Sequence, residues 1–128
     1  MIAEVAQAVE EIRKAFPKAK VEAHEDTDGG AHVIVDPVDP GPPYEQRETW
    51  IGFHITFQYP VSDVYPHFVR PDLSRVDKQP LTAGMSVGSF GFDGRAAVQV
   101  SRRSNRLNPA TDTALTKLDK VLEWLASQ

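Results

Sequence analysis

The chain has 128 residues, with 14 lysines and arginines, 18 aspartates and glutamates, ten prolines and no cysteine. This length fits one domain able to bury a sizeable core, and the ordinary charged and apolar fractions argue against disorder. The absence of cysteine excludes disulfides, cysteine-ligated zinc, iron–sulfur clusters and thiol nucleophiles. The net charge of −4 argues against general nucleic-acid binding.

Two further sequence features concern location. No apolar run approaches the ~18 residues of a membrane span, and the N-terminus lacks the basic-then-apolar pattern of a secretory signal. We therefore expect a cytoplasmic protein with neither a membrane nor a nucleic acid as partner.

The chain begins with a predicted amphipathic helix, followed by a predicted hairpin. Pro17 ends a stripe of apolar residues spaced by three and four, namely Ile2, Val5, Val9, Ile12 and Phe16. Residues 21–24 and 32–35 are typical of strands, and the acidic, glycine-containing segment 26–30 between them is typical of a turn.

The middle of the chain alternates predicted strands with loops. The four prolines of segment 36–43 predict a connector that is neither helix nor central strand. Thr49 to Phe57 then predicts the best strand, because apolar and polar residues alternate along it. Residues 59–80 and the glycine-rich span 84–94 are expected to be irregular, and 96–101 is the last predicted strand.

A second amphipathic helix is predicted at the end of the chain. Asn108 and Pro109 suit a helix cap and first helical position, and the apolar stripe that follows comprises Leu115, Leu118, Val121 or Leu122, and Leu125. The order of helix, antiparallel strand meander and helix predicts an α+β domain spanning residues 1–128, with the helices packed on the sheet.

Two groups of polar residues could carry chemistry. His24 lies beside Glu25 and Asp26, which makes cation binding conceivable, but a solvated acidic turn is the better interpretation. Segment 101–106 contains three arginines at a strand–helix junction. It could bind an anion or an acidic protein surface, or it could be a solvated turn.

One stretch resembles a known family. The strand Phe53–Phe57, the Tyr59–Pro60 step and the segment Tyr65–Pro71 resemble the core of ubiquitin-conjugating enzymes, in which prolines carry the chain off the sheet. Asn108 through Trp124 resembles the entry into the central helix of that family. The missing C-terminal helices make the chain similar to short bacterial relatives encoded with ubiquitin-like proteins and adenylating activating enzymes. The related RWD domain, a binding module, shares these features.

The resemblance implies a carrier that holds a ubiquitin-like protein on a catalytic cysteine, which this chain lacks. Counting back from Pro109 places the equivalent position near Gln99 to Ser101. Val98 and Val100 are expected to face the core, so Gln99 and Ser101 point outward, and only Ser101 could act as a nucleophile. A serine needs an adjacent base, which His54 or His67 could supply only from within ~3 Å.

Three functions follow from these patterns. The first is a bacterial carrier that uses a Ser101 oxyester, with Arg102, Arg103 and Asn105 binding the donor or stabilising an oxyanion, and with no metal or cofactor. The second is a non-catalytic relative that binds the activating enzyme or the ubiquitin-like protein. The third is a small-molecule or metal site in an unrelated α+β domain.

Overall fold

The computed structural model describes residues 1–128. Its elements are, in chain order, α1 (Ala3–Ala15), β1 (Lys20–Glu25), β2 (Ala31–Val38), β3 (Thr49–Ile55), β4 (His67–Val69), β5 (Met85–Ser89), β6 (Ala96–Val100) and α2 (Ala114–Ala126). The strands form one antiparallel sheet in the order β1-β2-β3-β4-β6-β5. The predicted α+β class is confirmed, and neither helix is long and apolar enough to cross a membrane.

The two helices share one hydrophobic core with one face of the sheet. Val5, Val9 and Ile12 are buried, as the stripe predicted for α1 requires. They join a cluster with the inward residues of β2 and β3 and the buried side of α2. Since successive strand residues point to opposite faces, the odd-numbered residues of β3, Ile51 to Ile55, supply the core and the even-numbered ones line the other face.

The outer face of the sheet is partly covered by an aromatic residue. Phe90 is buried over Gly52 of β3, and a Cβ atom at Gly52 would lie 2.9 Å from the Phe90 ring. The absence of a side chain at position 52 therefore lets Phe90 close on the sheet. Phe57, which was expected to continue the strand, lies beyond its end and is 51% exposed.

Three predictions for the middle of the chain are wrong. β2 extends through Pro37 to Val38, because a register shift between Val35 and Val38 accommodates the proline without a ladder bond to β3. β4 forms within the expected irregular region because β3 and β6 pair with it on both sides. β5 forms within the glycine-rich span and pairs with β6 alone, so the last strands do not continue the meander.

The predicted start of the second helix is also wrong. α2 begins at Ala114, where Thr113 is the N-cap and forms a reciprocal capping box with Thr116. Asn108 instead caps a separate turn, in which its side chain accepts a hydrogen bond from the Ala110 N–H at 3.0 Å. The predicted stripe is confirmed at Leu118 and Leu125, and Val121 is the buried member of the Val121/Leu122 pair.

Candidate functional site

The predicted nucleophile lies at the end of β6. Its neighbours Val98 and Val100 are buried, as predicted, whereas Gln99 and Ser101 are only partly buried. The Ser101 N–H donates to the Gly84 carbonyl at 2.8 Å. The Ser101 hydroxyl accepts a hydrogen bond from the Gln99 amide at 3.1 Å, and no other side chain bonds to it.

Neither candidate base forms a hydrogen bond with Ser101. His54 Nε2 lies 2.6 Å from Asp26 Oδ2, and His67 is fully buried with both ring nitrogens unpartnered. Burial lowers the pKa of His67 to about 3, so this imidazole is neutral. The structure therefore places no imidazole within hydrogen-bond distance of the hydroxyl, and a neutral serine without a base is a weak nucleophile.

The three residues predicted to bind a partner lie together. Arg102, Arg103 and Asn105 line a groove of about 590 Å³ between the loop after β6 and α2. The Arg102 guanidinium stacks 4.8 Å from the Trp124 ring centroid, and the Arg103 guanidinium stacks 4.2 Å from that of Tyr65. Stacking on an aromatic face orients a guanidinium while leaving its in-plane N–H donors free.

These arginines differ from most others in the chain because they lack acidic partners. Four arginines form ion pairs with nearby carboxylates, namely Arg13 with Glu10, Arg70 with Asp72, Arg75 with Asp77 and Arg95 with Asp93. Arg102, Arg103 and Arg106 form none, although the chain is acidic overall. Three unpaired guanidinium groups within five residues outnumber the two carboxylates that line the groove, Asp112 and Glu123, so the surface favours carboxylates. We call it the arginine groove.

A buried polar network that the sequence did not reveal holds this loop in place. Lys117 Nζ donates to both Asp63 oxygens, at 3.2 and 3.0 Å, and to the Ser104 hydroxyl at 2.9 Å. Asp63 also accepts hydrogen bonds from the Ser104 N–H and hydroxyl. Lys117 is only 7% exposed. Only its spacing indicates this burial in the sequence. Lys117 lies three residues after Ala114 and four before Val121, so it is on the buried side of the helix next to the apolar stripe.

The charges in this network favour structure over catalysis. Burial opposes ionisation of Asp63, but hydrogen bonds from Ser104 and Lys117 outweigh it and hold the pKa of Asp63 below its usual value. The carboxylate is therefore ionised, and the Ser104 hydroxyl, which accepts a hydrogen bond from Lys117 Nζ, donates to that carboxylate. The network fixes Ser104, and with it the arginine groove, against α2 and the segment that carries Asp63.

The Tyr–Pro segment is also bonded to α2. The Tyr59 hydroxyl, which is buried, accepts a hydrogen bond from the N–H of Ala114 at 3.0 Å. This N–H is one of the donors that a helix leaves unpaired at its first turn. Tyr59 therefore satisfies the start of α2 and positions the helix that forms one wall of the arginine groove.

The acidic turn near His24 has a structural role. Asp26 accepts hydrogen bonds from the N–H groups of Asp28 and Gly30 and lies against His54. The His54 hydrogen bond is the largest of the effects that lower the pKa of Asp26 to about 2. His24, His32 and His54 are in register on adjacent strands, yet no three histidine or acidic side chains are placed to share a metal ion.

Comparison with known proteins gave no match among protein-family models, curated proteins or solved structures.

Proposed function

We propose that this chain is a non-catalytic relative of ubiquitin-conjugating enzymes, which binds the ubiquitin-like protein or the activating enzyme of a bacterial conjugation pathway. The observation that carries this proposal is the isolation of Ser101, whose hydroxyl bonds only to an amide. A carrier needs a nucleophile that a base can activate. A binding protein needs only a surface, and the arginine groove supplies one.

The element order supports the family part of the proposal. The amphipathic helix α1, an antiparallel sheet in which β1 to β4 pair in chain order, and the helix α2 suit that family. The Tyr59–Pro60 step follows β3, and the Tyr59 hydroxyl accepts a hydrogen bond from the N–H of Ala114, the first residue of α2.

The arginine groove supports a partner with exposed carboxylates. Its unpaired guanidinium groups attract an acidic surface from a distance and form bidentate hydrogen bonds on contact. Trp124 and Tyr65 present flat apolar surfaces beside those charges. Aromatic and arginine side chains together are typical of the residues that dominate binding energy at protein interfaces.

Calorimetric titration tests this proposal. The ubiquitin-like protein and the activating enzyme from the same genome are titrated separately into the wild type, the double variant Arg102→Ala/Arg103→Ala, and Arg47→Ala. Arg47 is an exposed arginine without an ion pair outside the groove, so its variant is a matched control. We expect one partner to bind and the double variant to bind at least ~10-fold more weakly, while Arg47→Ala binds normally.

Two outcomes would overturn the proposal. One is that neither protein binds the wild type. The other is that the double variant and the Arg47→Ala control bind as tightly as the wild type, because the groove would then not be the binding surface.

A further inference from the structure

The outer strand β5 presents an unusual edge. No charged residue occurs between Gln79 and Phe92, a segment that contains all of β5. Val87, at the centre of the strand, is 96% exposed, more than any other large apolar residue. β5 pairs with β6 on one side only, so its other side is a free sheet edge.

The hydrogen bonds to β6 determine which backbone groups lie at this edge. Gly84 accepts from Ser101, and Phe90 donates to Arg95. These bonds follow the β5–β6 register, in which bonded and non-bonded pairs alternate. Residues 84, 86, 88 and 90 therefore bond to β6, and the N–H and C=O groups of Val87 and Ser89 point away from the sheet. The Met85 N–H is already bonded to Thr82.

The opposite edge of the sheet is protected in the manner usual for soluble proteins. β1 carries Lys20, Glu22 and Glu25, and the Arg13 side chain donates to the Val21 carbonyl at 3.2 Å. Charged side chains on an edge strand prevent it from pairing with another strand. β5 carries none of these devices.

We infer that the β5 edges of two copies of this chain pair antiparallel across a two-fold axis at Val87. Each Val87 then exchanges N–H and C=O bonds with its counterpart, and each Ser89 N–H donates to the Met85 carbonyl of the other copy, giving about four hydrogen bonds. Within the chain, Val87 lies opposite Val98, which belongs to the core on the helix-bearing face. The Val87 side chains of the two copies therefore lie on that same face of the joined sheet and contact each other.

A second copy fits this edge better than a charged peptide. The uncharged strand offers a charged partner no counter-charge, whereas a copy meets it without like-charge repulsion. In an antiparallel two-fold pair, each free N–H of one copy also lies opposite a free C=O of the other, because both edges are identical. Since the contact is one short strand wide, it buries less than the roughly 1,200 Å² of a stable interface, and the dimer is weak and concentration-dependent.

Sedimentation equilibrium of the full chain between 10 µM and 1 mM tests this pairing through two oppositely charged variants. The wild type is expected to rise from the monomer mass of 14.2 kDa toward twice that value. Val87→Lys and Val87→Glu alone stay monomeric, because like charges then meet at the axis, and an equimolar mixture of the two recovers the dimer. Val61→Lys, at an exposed valine outside the strands, is the charge-matched control and dimerises normally.

Amide hydrogen exchange adds a residue-level readout. The Val87 and Ser89 amides are expected to exchange quickly in dilute protein and slow at least ~10-fold in the dimer, while Ser86 and Gly88 stay protected throughout. A wild type that remains monomeric at 1 mM would overturn the inference. The inference would also be overturned if Val87→Lys dimerised as strongly as the wild type, or if the mixture of Val87→Lys and Val87→Glu stayed monomeric. Slow exchange of the Val87 amide that requires the addition of a different protein would overturn it as well.

Discussion

The Asp63–Lys117–Ser104 network makes the sharpest stability prediction, through the variant Asp63→Asn. The substitution keeps the side-chain shape and removes the negative charge that faces a lysine only 7% exposed. Breaking a buried ion pair on one side costs about 3–5 kcal/mol. The Asp63 side chain retains 20% exposure, so solvent screens part of the loss and we expect the lower end, about 3 kcal/mol.

Urea unfolding monitored by tryptophan fluorescence measures this loss. For a chain of this length about 3 kcal/mol corresponds to a fall in Tm of roughly 10 °C. Asp36→Asn is the matched control, since Asp36 is exposed and its side chain makes no hydrogen bond or ion pair; it should stay within ~0.5 kcal/mol of the wild type. In a double-mutant cycle with Lys117→Met, the two substitutions should couple by at least ~1 kcal/mol.

The pH dependence of this contribution has a definite sign. The folded-state pKa of Asp63 is lowered, so its stabilisation is present above the ordinary carboxyl pKa and is lost as pH falls through the folded value. The difference between wild type and Asp63→Asn should therefore shrink under acid. A loss below ~1 kcal/mol at pH 7, with no coupling to Lys117, would refute a stabilising ion pair.

Three further stability predictions concern the sheet and the turn between β1 and β2. Burial lowers the pKa of His67 from 6.5 to about 3, so the stability of the wild type should fall as pH drops across that range. His67→Leu should reduce the slope of unfolding free energy against pH, measured by urea unfolding, and an unchanged slope would contradict this. Asp26, with a pKa of about 2, stabilises above its ordinary 3.8, so Asp26→Asn should be less stable at pH 6 and the difference should close toward pH 2. Gly52→Ala places a Cβ 2.9 Å from Phe90 and should cost about 1–3 kcal/mol, less in a Phe90→Leu background; equal costs in the two backgrounds would exclude the clash.

The sequence predicts those helices and strands whose apolar residues repeat with the period of the element. The stripe from Val5 to Ile12 and the alternation from Ile51 to Ile55 are periodic because each element buries one face, and both occur as expected. β4 has only three residues, too few to show a periodic pattern, and it forms because β3 and β6 pair with it on both sides. β5 has only five residues, is exposed along most of its length and lies in a glycine-rich span, so its sequence pattern is a weak signal for a strand. The capping box at the start of α2 has Thr116 where glutamate or glutamine is usual. Asn108–Pro109 therefore fits the usual sequence of a helix start better than Thr113–Thr116 does.

The candidate site was partly predictable for the same reason. Arg102, Arg103 and Asn105 lie within four residues of the sequence, so their proximity is predictable, whereas the wall of their groove that α2 forms depends on the fold. The pairing of Asp63 with Lys117 joins residues 54 positions apart, and only the fold brings them together. The partners of Ser101 also depend on the fold, which leaves its hydroxyl bonded to the Gln99 amide and to no histidine.

The most direct test of a non-catalytic role is a conjugation assay. The chain is incubated with ATP, the activating enzyme and the ubiquitin-like protein from the same genome, and the products are separated on denaturing gels with thiol reductant. Our proposal predicts a complex under native conditions and no covalent adduct on the gel. An adduct that resists reductant, yields to hydroxylamine and disappears in Ser101→Ala would contradict it and establish Ser101 as an oxyester carrier.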